Sequence, residues 1–252
     1  MPPPSLKHDL KFAPPVIGHR GAKASAPENT LASFRRAFEQ GAVWVETDVK
    51  LTHEGVPVLM HDDQLDRTTS GKGNVADISW NEMKSLDAGR WFGPAFIGEK
   101  VPSLAEGLHF IIERNMRINL ELKPCPGRTQ ATAMVALIET AKVWPDNHPP
   151  PLISSFDINA LVIAAGLHPE WPRGLLLDDW RDDWAGLARQ TGASSLHINA
   201  DKVSRAHIGV MAEAHLPILA YTVNEPARAK ELLHWGVSAV FSDNPEDIIK
   251  AL

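Results

Sequence analysis

Two kinds of hydrophobic pattern alternate along this chain. Short apolar runs rich in β-branched residues have the character of buried strands, and longer segments repeat apolar residues at the spacing of an amphipathic helix. The strand-like runs cover residues 15–19, 43–49, 118–123, 151–156, 173–178, 195–200, 216–223 and 238–243. The helical segments cover residues 31–42, 103–115, 129–143, 157–167, 180–190, 204–215, 226–235 and 245–251. Regular alternation of strand and helix predicts a parallel sheet with helices outside it.

The number of repeats favours a closed barrel over an open sheet. Eight strand–helix units in 252 residues are typical of a (β/α)8, or TIM, barrel, here predicted as one domain over residues 1–252. An open doubly wound sheet is the alternative, but no Gly-rich nucleotide-binding loop follows the first strand. Local signals support the helix ends, since Ser103 and Glu106 form a capping-box pattern and Gly41 is a stop signal.

Two segments depart from the repeat. Residues 1–14 are rich in proline and predict a loose N-terminal arm. Residues 50–102, between the second and third strands, lack a clear long helix and are rich in glycine and aromatic residues. We expect this segment to form a small insertion over the barrel mouth, beginning with a β-hairpin whose turn residues are Glu54 and Gly55.

Composition and charge exclude some classes of protein. The net charge of −6 and the pI of about 6.0 argue against a general nucleic-acid binder, yet leave room for an anionic small-molecule substrate. The lone cysteine, Cys125, permits no internal disulfide, and no apolar run approaches the ~20 residues that a membrane helix needs. The N-terminus shows no signal-peptide core. We therefore expect a soluble cytoplasmic protein without stable membrane association, and its oligomeric state stays open.

Three acidic residues stand at the carboxyl ends of neighbouring predicted strands, where the active sites of such barrels lie. Glu46 and Asp48 are two residues apart on one strand, so their side chains point to the same face, and Glu121 lies on the next strand. Carboxylates inside a barrel carry a large desolvation cost unless a cation compensates them. The set predicts a site for one hard divalent cation, Mg²⁺ or Ca²⁺. The alternative is that these acids pair with arginine or lysine on an exposed rim.

The hairpin decides where His61 lies. With Glu54 and Gly55 as the two turn residues, position 53 faces position 56, and Asp48 faces His61. This register returns His61 to the predicted metal site, whereas a slip of one residue would aim its ring at the opposite face.

Two histidines and two cations complete the candidate site. His19 ends the first strand, so His19 and His61 flank the acids and predict a general acid–base pair, since imidazole titrates near neutral pH. Zinc binding by this pair is an alternative, but no cysteine supports it and the carboxylates are too many. Arg20 and Lys123 supply positive charge for a phosphate. The combination predicts phosphoryl-transfer chemistry assisted by a bound metal ion.

An ordered series of short motifs runs from one end of the chain to the other. Any one of them is weak evidence, but the series in this order is specific. It comprises His19-Arg20-Gly21, Pro27-Glu28-Asn29-Thr30, Glu46-Thr47-Asp48-Val49, Val56-Pro57-Val58 with His61-Asp62, Leu65-Asp66-Arg67-Thr68-Thr69, Gly71 with Gly73, Glu99-Lys100-Val101-Pro102-Ser103-Leu104, Glu121-Leu122-Lys123, Ser154-Ser155-Phe156, Tyr221-Thr222-Val223-Asn224 and Ser242-Asp243-Asn244-Pro245. On these motifs the chain resembles the glycerophosphodiester phosphodiesterase family, most closely its small soluble bacterial members.

The resemblance implies a (β/α)8 barrel with a small insertion after the second strand, and hydrolysis of glycerophosphodiesters to sn-glycerol 3-phosphate and an alcohol. The roles that it implies by position are acid–base catalysis for His19 and His61, binding of one Mg²⁺ or Ca²⁺ for Glu46, Asp48 and Glu121, and phosphate contact for Arg20 and Lys123. In related proteins the substrate's own 2-hydroxyl can attack first, and the sequence leaves the choice between that hydroxyl and water open.

Several aromatic residues are candidates for the walls of the pocket. Family members often carry tryptophan where Tyr221 stands, so the resemblance places Tyr221 at the glycerol pocket while leaving substrate preference open. Phe156 and Trp91 are further candidates for pocket lining, although aromatic side chains more often belong to a core. Glu28 and Asn29 are expected to brace the first loop.

Two other functions compete with this one. A lysophospholipase D would need an apolar groove for one acyl chain, which the insertion aromatics Trp80, Trp91, Phe92 and Phe96 could supply. A non-catalytic phosphodiester-binding protein would be expected to have lost a histidine or an acid, and here the set is complete. The alcohol headgroup, the preferred metal and the role of residues 63–100 stay open at this stage.

Overall fold

The computed structural model describes residues 10–252, and within them eight parallel strands close into a barrel. The strands are β1 (Val16–Gly18), β2 (Trp44–Leu51), β3 (Pro57–Leu59), β4 (Arg117–Leu122), β5 (Leu152–Ser155), β6 (Arg173–Leu177), β7 (Ser195–Asn199), β8 (Ile218–Tyr221) and β9 (Ala239–Ser242). All except β3 run parallel in the order β1-β9-β8-β7-β6-β5-β4-β2, and β2 pairs back onto β1. The (β/α)8 barrel predicted from the pattern is confirmed.

A helix overlaps each predicted helical segment, and one more short helix lies in the insertion. The helices are α1 (Leu31–Glu39), α2 (Trp80–Met83), α3 (Leu104–Glu113), α4 (Thr129–Val143), α5 (Ile158–Leu167), α6 (Trp184–Thr191), α7 (Arg205–Ala212), α8 (Pro226–His234) and α9 (Pro245–Ala251). Ser103 and Glu106 form the expected reciprocal capping box at the start of α3. Gly41 follows α1 with a φ of 86°, the left-handed conformation that ends a helix at low cost in glycine.

Buried apolar side chains fill the amino-terminal end of the barrel. Trp44, Leu152 and Ala239 are the first residues of their strands, and all three are buried. Phe12 packs on Trp44 with ring centroids 5.0 Å apart, and the indole Nε1 of Trp44 donates to the carbonyl oxygen of Lys11 at 3.0 Å. This part of the predicted loose arm is therefore packed, and residues 1–9 lie outside the described residues.

The insertion after β2 carries a small apolar core of its own. Strand β3 pairs antiparallel with β2, as the hairpin pattern predicted, and short 3₁₀ turns cover Val75–Asp77 and Pro94–Phe96. Buried side chains that include Met60, Leu65 and Met83 pack together between these pieces. None of the helices found within residues 10–252 is long and apolar enough to cross a membrane.

The register of the hairpin differs from the prediction by one residue. Val49 pairs with Leu59, and the backbone N–H of Met60 donates to the carbonyl oxygen of Asp48, so Asp48 faces Met60 and not His61. The reason is the turn, because Thr52 bonds to Val56 across a loop of three residues that ends at Gly55, whose φ is 91°. A left-handed glycine at the third position is characteristic of such three-residue hairpin loops.

Candidate active site

The three predicted metal ligands meet at the carboxyl ends of β2 and β4. Asp48 and Glu121 are register partners on these neighbouring strands, and Glu46 precedes Asp48 by two residues on the same face. One carboxylate oxygen of each residue lies within 4.8 Å of the others, and all three side chains are buried. The structure therefore brings the three acids together, and their role as metal ligands stays a prediction.

Burial and mutual repulsion disfavour ionisation of two of the three acids. Burial, followed by repulsion from Asp48, raises the pKa of Glu121 to about 7, and the same two causes raise the pKa of Glu46 well above its usual range. Burial also acts on Asp48, but Lys123 and Arg20 outweigh it and hold its pKa well below the usual range. Two of the three carboxyls thus resist ionisation unless positive charge is added.

The donor atoms of the triad fit a hard divalent ion. Oε1 of Glu46 is buried and accepts no hydrogen bond from any residue in the range 10–252, and the buried Oε1 of Glu121 has only an ion pair of 3.3 Å with Nζ of Lys123. Unpaired buried carboxylate oxygens are rare, and an all-oxygen set of this kind is typical of Mg²⁺ or Ca²⁺ sites. These residues therefore fit such an ion.

The two predicted phosphate-binding cations stand directly above Asp48. Nζ of Lys123 lies 3.1 Å from Oδ1 of Asp48 and 3.3 Å from Oε1 of Glu121, and Nε of Arg20 lies 3.4 Å from Oδ2 of Asp48. One part of the alternative, in which the acids pair with cations on an exposed rim, is observed, because the ion pairs are present. However, Glu46, Asp48 and Glu121 are at most 7% exposed, so the pairs lie inside the barrel mouth and not on a rim.

His19 enters this site from the end of β1. Its Nδ1 lies 2.6 Å from Oδ1 of Asp243, and its Nε2 lies 4.0 Å from Oε2 of Glu46. Burial, only partly offset by the hydrogen bond to Asp243, lowers the pKa of His19 to about 4. An ionised carboxylate can only accept a hydrogen bond, so Nδ1 of His19 carries the proton. Nε2 of His19 is then unprotonated, and its lone pair faces the acidic triad.

The loop that carries His19 has an unusual backbone. Arg20 has a φ of 52°, and its backbone N–H donates to Oε2 of Glu46 at 2.9 Å. Gly21 follows with a φ of 86°, and any side chain there would meet Ser33 at 2.4 Å. The glycine of the first motif is therefore required for the turn that directs Arg20 over the acids.

His61 reaches the same cavity despite the shifted hairpin register. Strand β3 ends at Leu59, so His61 lies outside the strand. A one-residue slip in register inverts the faces of side chains only within a strand, so it does not decide where the His61 ring points. Its Nδ1 lies 2.7 Å from Oδ1 of Asp62, which orients the ring as Asp243 orients His19. Burial lowers the pKa of His61, and the negative charge of Asp48 opposes that shift.

A cavity of about 190 Å³ lies between the two histidines. Its polar side is formed by the site residues, and its opposite side is apolar. The lining residues are His19, Arg20, Glu46, His61, Asn119, Glu121, Lys123, Phe156, Leu176, Tyr221, Thr222 and Phe241. Phe156 and Tyr221 pack edge to face at 5.9 Å, and the Tyr221 hydroxyl donates to the carbonyl oxygen of Leu177. Both predicted pocket residues thus line the cavity.

The insertion aromatics lie elsewhere. Trp91, Phe92 and Phe96 pack on one another edge to face, with centroids 5.5 Å and 5.3 Å apart, and none of them lines the cavity between the histidines. Trp91, a candidate for pocket lining from the sequence, is therefore not part of the wall of this cavity.

Sequence reasoning missed the side chains that support the histidines. Asp243 and Asp62 each belong to a quoted motif, but nothing in the local pattern assigned them a partner. Arg67 donates to both Asp62 and Glu28, and Glu28 in turn accepts a hydrogen bond of 2.8 Å from Arg20. The arrangement links the insertion to the barrel site through a continuous set of ion pairs.

Asn29, which was expected to brace the first loop, connects that loop to the strand that carries Asp48. Its Nδ2 donates to Oδ2 of Asp48 at 2.9 Å, and its Oδ1 accepts from the Thr47 hydroxyl at 2.7 Å. Asn29 has a φ of 56°, a conformation that asparagine tolerates better than most residues. It therefore fixes the orientation of one carboxylate of the acidic triad.

Fold and site together define a (β/α)8-barrel protein with an acidic, histidine-flanked pocket at the carboxyl ends of its strands. The model of the "Glycerophosphoryl diester phosphodiesterase family" matches residues 19–247. The chain belongs to this family, and the resemblance drawn from its motifs is confirmed. The prediction that it is an enzyme of the phosphoric diester hydrolase class is confirmed with it.

Named relatives cover nearly the whole chain. A glycerophosphodiester phosphodiesterase of Caldanaerobacter subterraneus is 33% identical over 238 residues, which span 93% of this chain and 96% of that one. A phosphodiesterase of Oleispira antarctica, solved in complex with the product sn-glycerol-3-phosphate, is 39% identical with a TM-score of 0.91 over 94% of this chain and 95% of its own. A glycerophosphodiester phosphodiesterase of Agrobacterium tumefaciens is 29% identical with a TM-score of 0.75, over 93% and 98%.

Proposed function

We propose that this chain hydrolyses glycerophosphodiesters to sn-glycerol 3-phosphate and an alcohol by acid–base catalysis from His19 and His61. One observation carries the proposal: each histidine is anchored through Nδ1 to its own carboxylate and lines a cavity that also contains the acids and the cations. The product complex of the Oleispira antarctica relative supports this substrate class.

One Mg²⁺ or Ca²⁺ held by Glu46, Asp48 and Glu121 is part of the proposal. Such an ion supplies positive charge that polarises a phosphoryl oxygen. Arg20 and Lys123 add fixed charge beside it, and their contacts with Asp48 hold both side chains in place before a substrate arrives. Because the guanidinium is held by Glu28 as well, its orientation toward the phosphate is preorganised.

The reaction needs two proton transfers, and each histidine carries out one of them. One accepts the proton of the attacking hydroxyl, from water or from the substrate 2-hydroxyl, as the new P–O bond forms. The other gives a proton to the leaving oxygen as the old P–O bond breaks, so the alcohol departs neutral. His19 is suited to accept, since Asp243 fixes the proton on Nδ1 and leaves Nε2 free.

Turnover of glycerophosphocholine by histidine variants tests the proposal. His19→Ala and His61→Ala should each lower kcat by roughly 10²–10⁴-fold, with the circular dichroism spectrum unchanged. His109→Ala is the matched control, because His109 is exposed on α3 and should keep the full rate. If both site variants remain near the wild-type rate, the assignment of the histidines is wrong.

A small polar substrate is favoured over a lysolipid. The cavity that contains His19 and His61 is not lined by the aromatic residues expected to bind an acyl chain, which are Trp80, Trp91, Phe92 and Phe96. Comparing turnover of glycerophosphocholine and lysophosphatidylcholine separates the two substrate classes. The non-catalytic alternative would require tight binding of diesters without turnover at any metal concentration.

Several expectations from composition stay predictions. They are the single-domain organisation of residues 1–252, the cytoplasmic location, and the lack of nucleic-acid binding and of stable membrane association. The oligomeric state stays open.

A further inference from the structure

A second and larger cavity adjoins the active site. This lateral groove, of about 860 Å³, runs between the insertion and the loop after β4, and the residues that matter in it are Lys50, His61, Asp63, Gln64, Asn74 and Lys123. His61 and Lys123 line both the lateral groove and the cavity of about 190 Å³. The groove is therefore continuous with the place where the phosphate is proposed to bind.

A phosphodiester needs two binding regions, because two organic arms leave the same phosphorus atom. In an in-line displacement, the attacking oxygen and the leaving oxygen stand on opposite sides of the phosphorus. The smaller cavity, with its wall of Phe156 and Tyr221, holds one arm and has Arg20 at its polar side. The lateral groove, reached past His61, is the space available to the other arm.

The floor of the groove contains an unusual lysine. Lys50 continues the face of Glu46 and Asp48 by one more alternation of β2, and it is only 1% exposed. Its Nζ donates to Oδ1 of Asp63 at 2.6 Å and to the carbonyl oxygen of Lys123 at 3.1 Å. An ammonium has three donors, and the third N–H of Lys50 meets no acceptor among residues 10–252.

The carboxylate of Asp63, which already accepts one hydrogen bond from Lys50, can accept further hydrogen bonds. The Asp63 side chain is 51% exposed, and a carboxylate has room for about four hydrogen bonds. A hydroxyl group both donates and accepts, so adjacent hydroxyls can bond to Lys50 and Asp63 together. The side-chain amides of Gln64 and Asn74, both exposed at the same groove, offer the same mixture of donors and acceptors.

The groove lacks the features that bind a quaternary ammonium group. No phenylalanine, tyrosine or tryptophan is among its lining residues within the described chain, so it lacks the rings that bind a choline headgroup by cation–π contact. Asp63 is already paired with Lys50, and Asp62 is paired with Arg67, so little net negative charge is left to attract a cation. A neutral, hydroxyl-rich group matches this surface better.

We propose that the lateral groove binds the leaving alcohol and that Lys50 and Asp63 select polyhydroxy headgroups. The inference rests on the proposed hydrolysis of glycerophosphodiesters and adds the class of alcohol that this site prefers. It also assigns specificity to residues of the insertion, whose role the sequence left open.

The test compares kcat/KM for glycerophosphoinositol and glycerophosphocholine with Mg²⁺ or Ca²⁺ present. The wild-type protein should favour the inositol diester, and Lys50→Met should lower the ratio of the two kcat/KM values by about tenfold, because a charged donor to a hydroxyl is lost. Gln64→Ala, at an exposed position that does not threaten folding, should lower the ratio by about threefold. Lys100→Met is the matched control, since its Nζ also donates to backbone carbonyls but lies outside the groove.

Two results would overturn the inference in different ways. If folded Lys50→Met and Gln64→Ala proteins keep the wild-type ratio, the groove does not select the alcohol, and the proposed hydrolysis is unaffected. If the wild-type protein hydrolyses neither diester with either metal, the proposed function is wrong and the inference fails with it.

Discussion

His19 and Asp243 lie 224 positions apart in the chain, yet Nδ1 of His19 donates to Oδ1 of Asp243 across 2.6 Å. The contact exists because β1 and β9 are neighbours in the closed barrel, with Gly18 paired to Ser242. His61 has an equivalent partner, Asp62, but that carboxylate is the next residue in the chain. Barrel closure thus orients one histidine, and the local backbone orients the other.

Replacing Asp243 should impair catalysis without removing a group that touches the substrate. In Asp243→Ala, the proton of neutral His19 is no longer fixed on Nδ1, so we expect kcat to fall by roughly 10²–10³-fold. The ¹⁵N chemical shifts of the His19 ring should report the change of tautomer. Asp179→Ala, an exposed carboxylate after β6, is the control and should leave both kcat and the shifts unchanged. An altered rate with unaltered ring shifts would contradict a positioning role.

Arg67 should prove necessary although it lies on the insertion. Its guanidinium bonds to Asp62, the partner of His61, and to Glu28, the partner of Arg20, with distances of 2.6–2.8 Å. We expect Arg67→Met to lower kcat/KM by about 10–100-fold, because both partners lose their orientation. Arg67→Lys should recover little, since a single ammonium cannot bridge two carboxylates as a fork does.

A measurement of kcat and KM separates this role from a general loss of stability. Arg90→Met is the control, because Arg90 is an exposed arginine of the same insertion and its carboxylate partner is Asp87. Full activity of Arg67→Lys would show that charge alone, without the fork, is sufficient.

Metal affinity should increase with pH. Burial and the charge of Asp48 raise the pKa of Glu121 to about 7, and binding of a divalent ion requires its carboxylate form. Protons therefore compete with the metal below about pH 7, and the rise in Tm on adding Mg²⁺ or Ca²⁺ should be larger at pH 8 than at pH 6. EDTA should abolish activity, and either ion should restore it.

The variant Glu121→Gln provides the control for the metal experiment. It keeps the size of the side chain, removes the titrating carboxyl, and should eliminate most of the metal-induced rise in Tm. An equal rise in Tm for the wild type and for Glu121→Gln would show that the ion binds elsewhere.

His197 should make the fold sensitive to acid. It is fully buried on β7, its Nε2 bonds to the Ser195 hydroxyl at 2.9 Å, and burial lowers its pKa from 6.5 to about 3. Between these values the unfolded chain binds more protons than the folded one, so stability falls as pH decreases. Between about pH 6.5 and pH 4.5 this residue should account for roughly 2–3 kcal/mol of lost stability.

Urea unfolding of His197→Gln over this pH range measures the effect. The glutamine keeps a hydrogen-bonding group near Ser195 but does not titrate, so its stability should decrease less steeply with falling pH. Parallel pH profiles for the two proteins would exclude His197 as the source.

The hairpin shows where local reasoning reaches its limit. The pattern of β2 and the glycine at position 55 predicted a hairpin, and one is present. The number of loop residues depends on the hydrogen bond between Thr52 and Val56 across the turn. The local sequence pattern does not determine which residues form this bond. The resulting shift in register was harmless to the site, because β3 ends before His61 and the backbone there no longer alternates.

The sequence by itself determined the barrel, the face on which Glu46 and Asp48 lie, and the set of groups that we propose for the chemistry. It could do so because hydrophobic periodicity and strand alternation are local properties of the chain. Only the tertiary structure decided that Asp243 orients His19, that Arg67 joins the insertion to Arg20, and that Lys50 keeps an unused donor at the lateral groove. Such contacts join segments distant in sequence, and their geometry follows from barrel closure and packing, which no local pattern encodes.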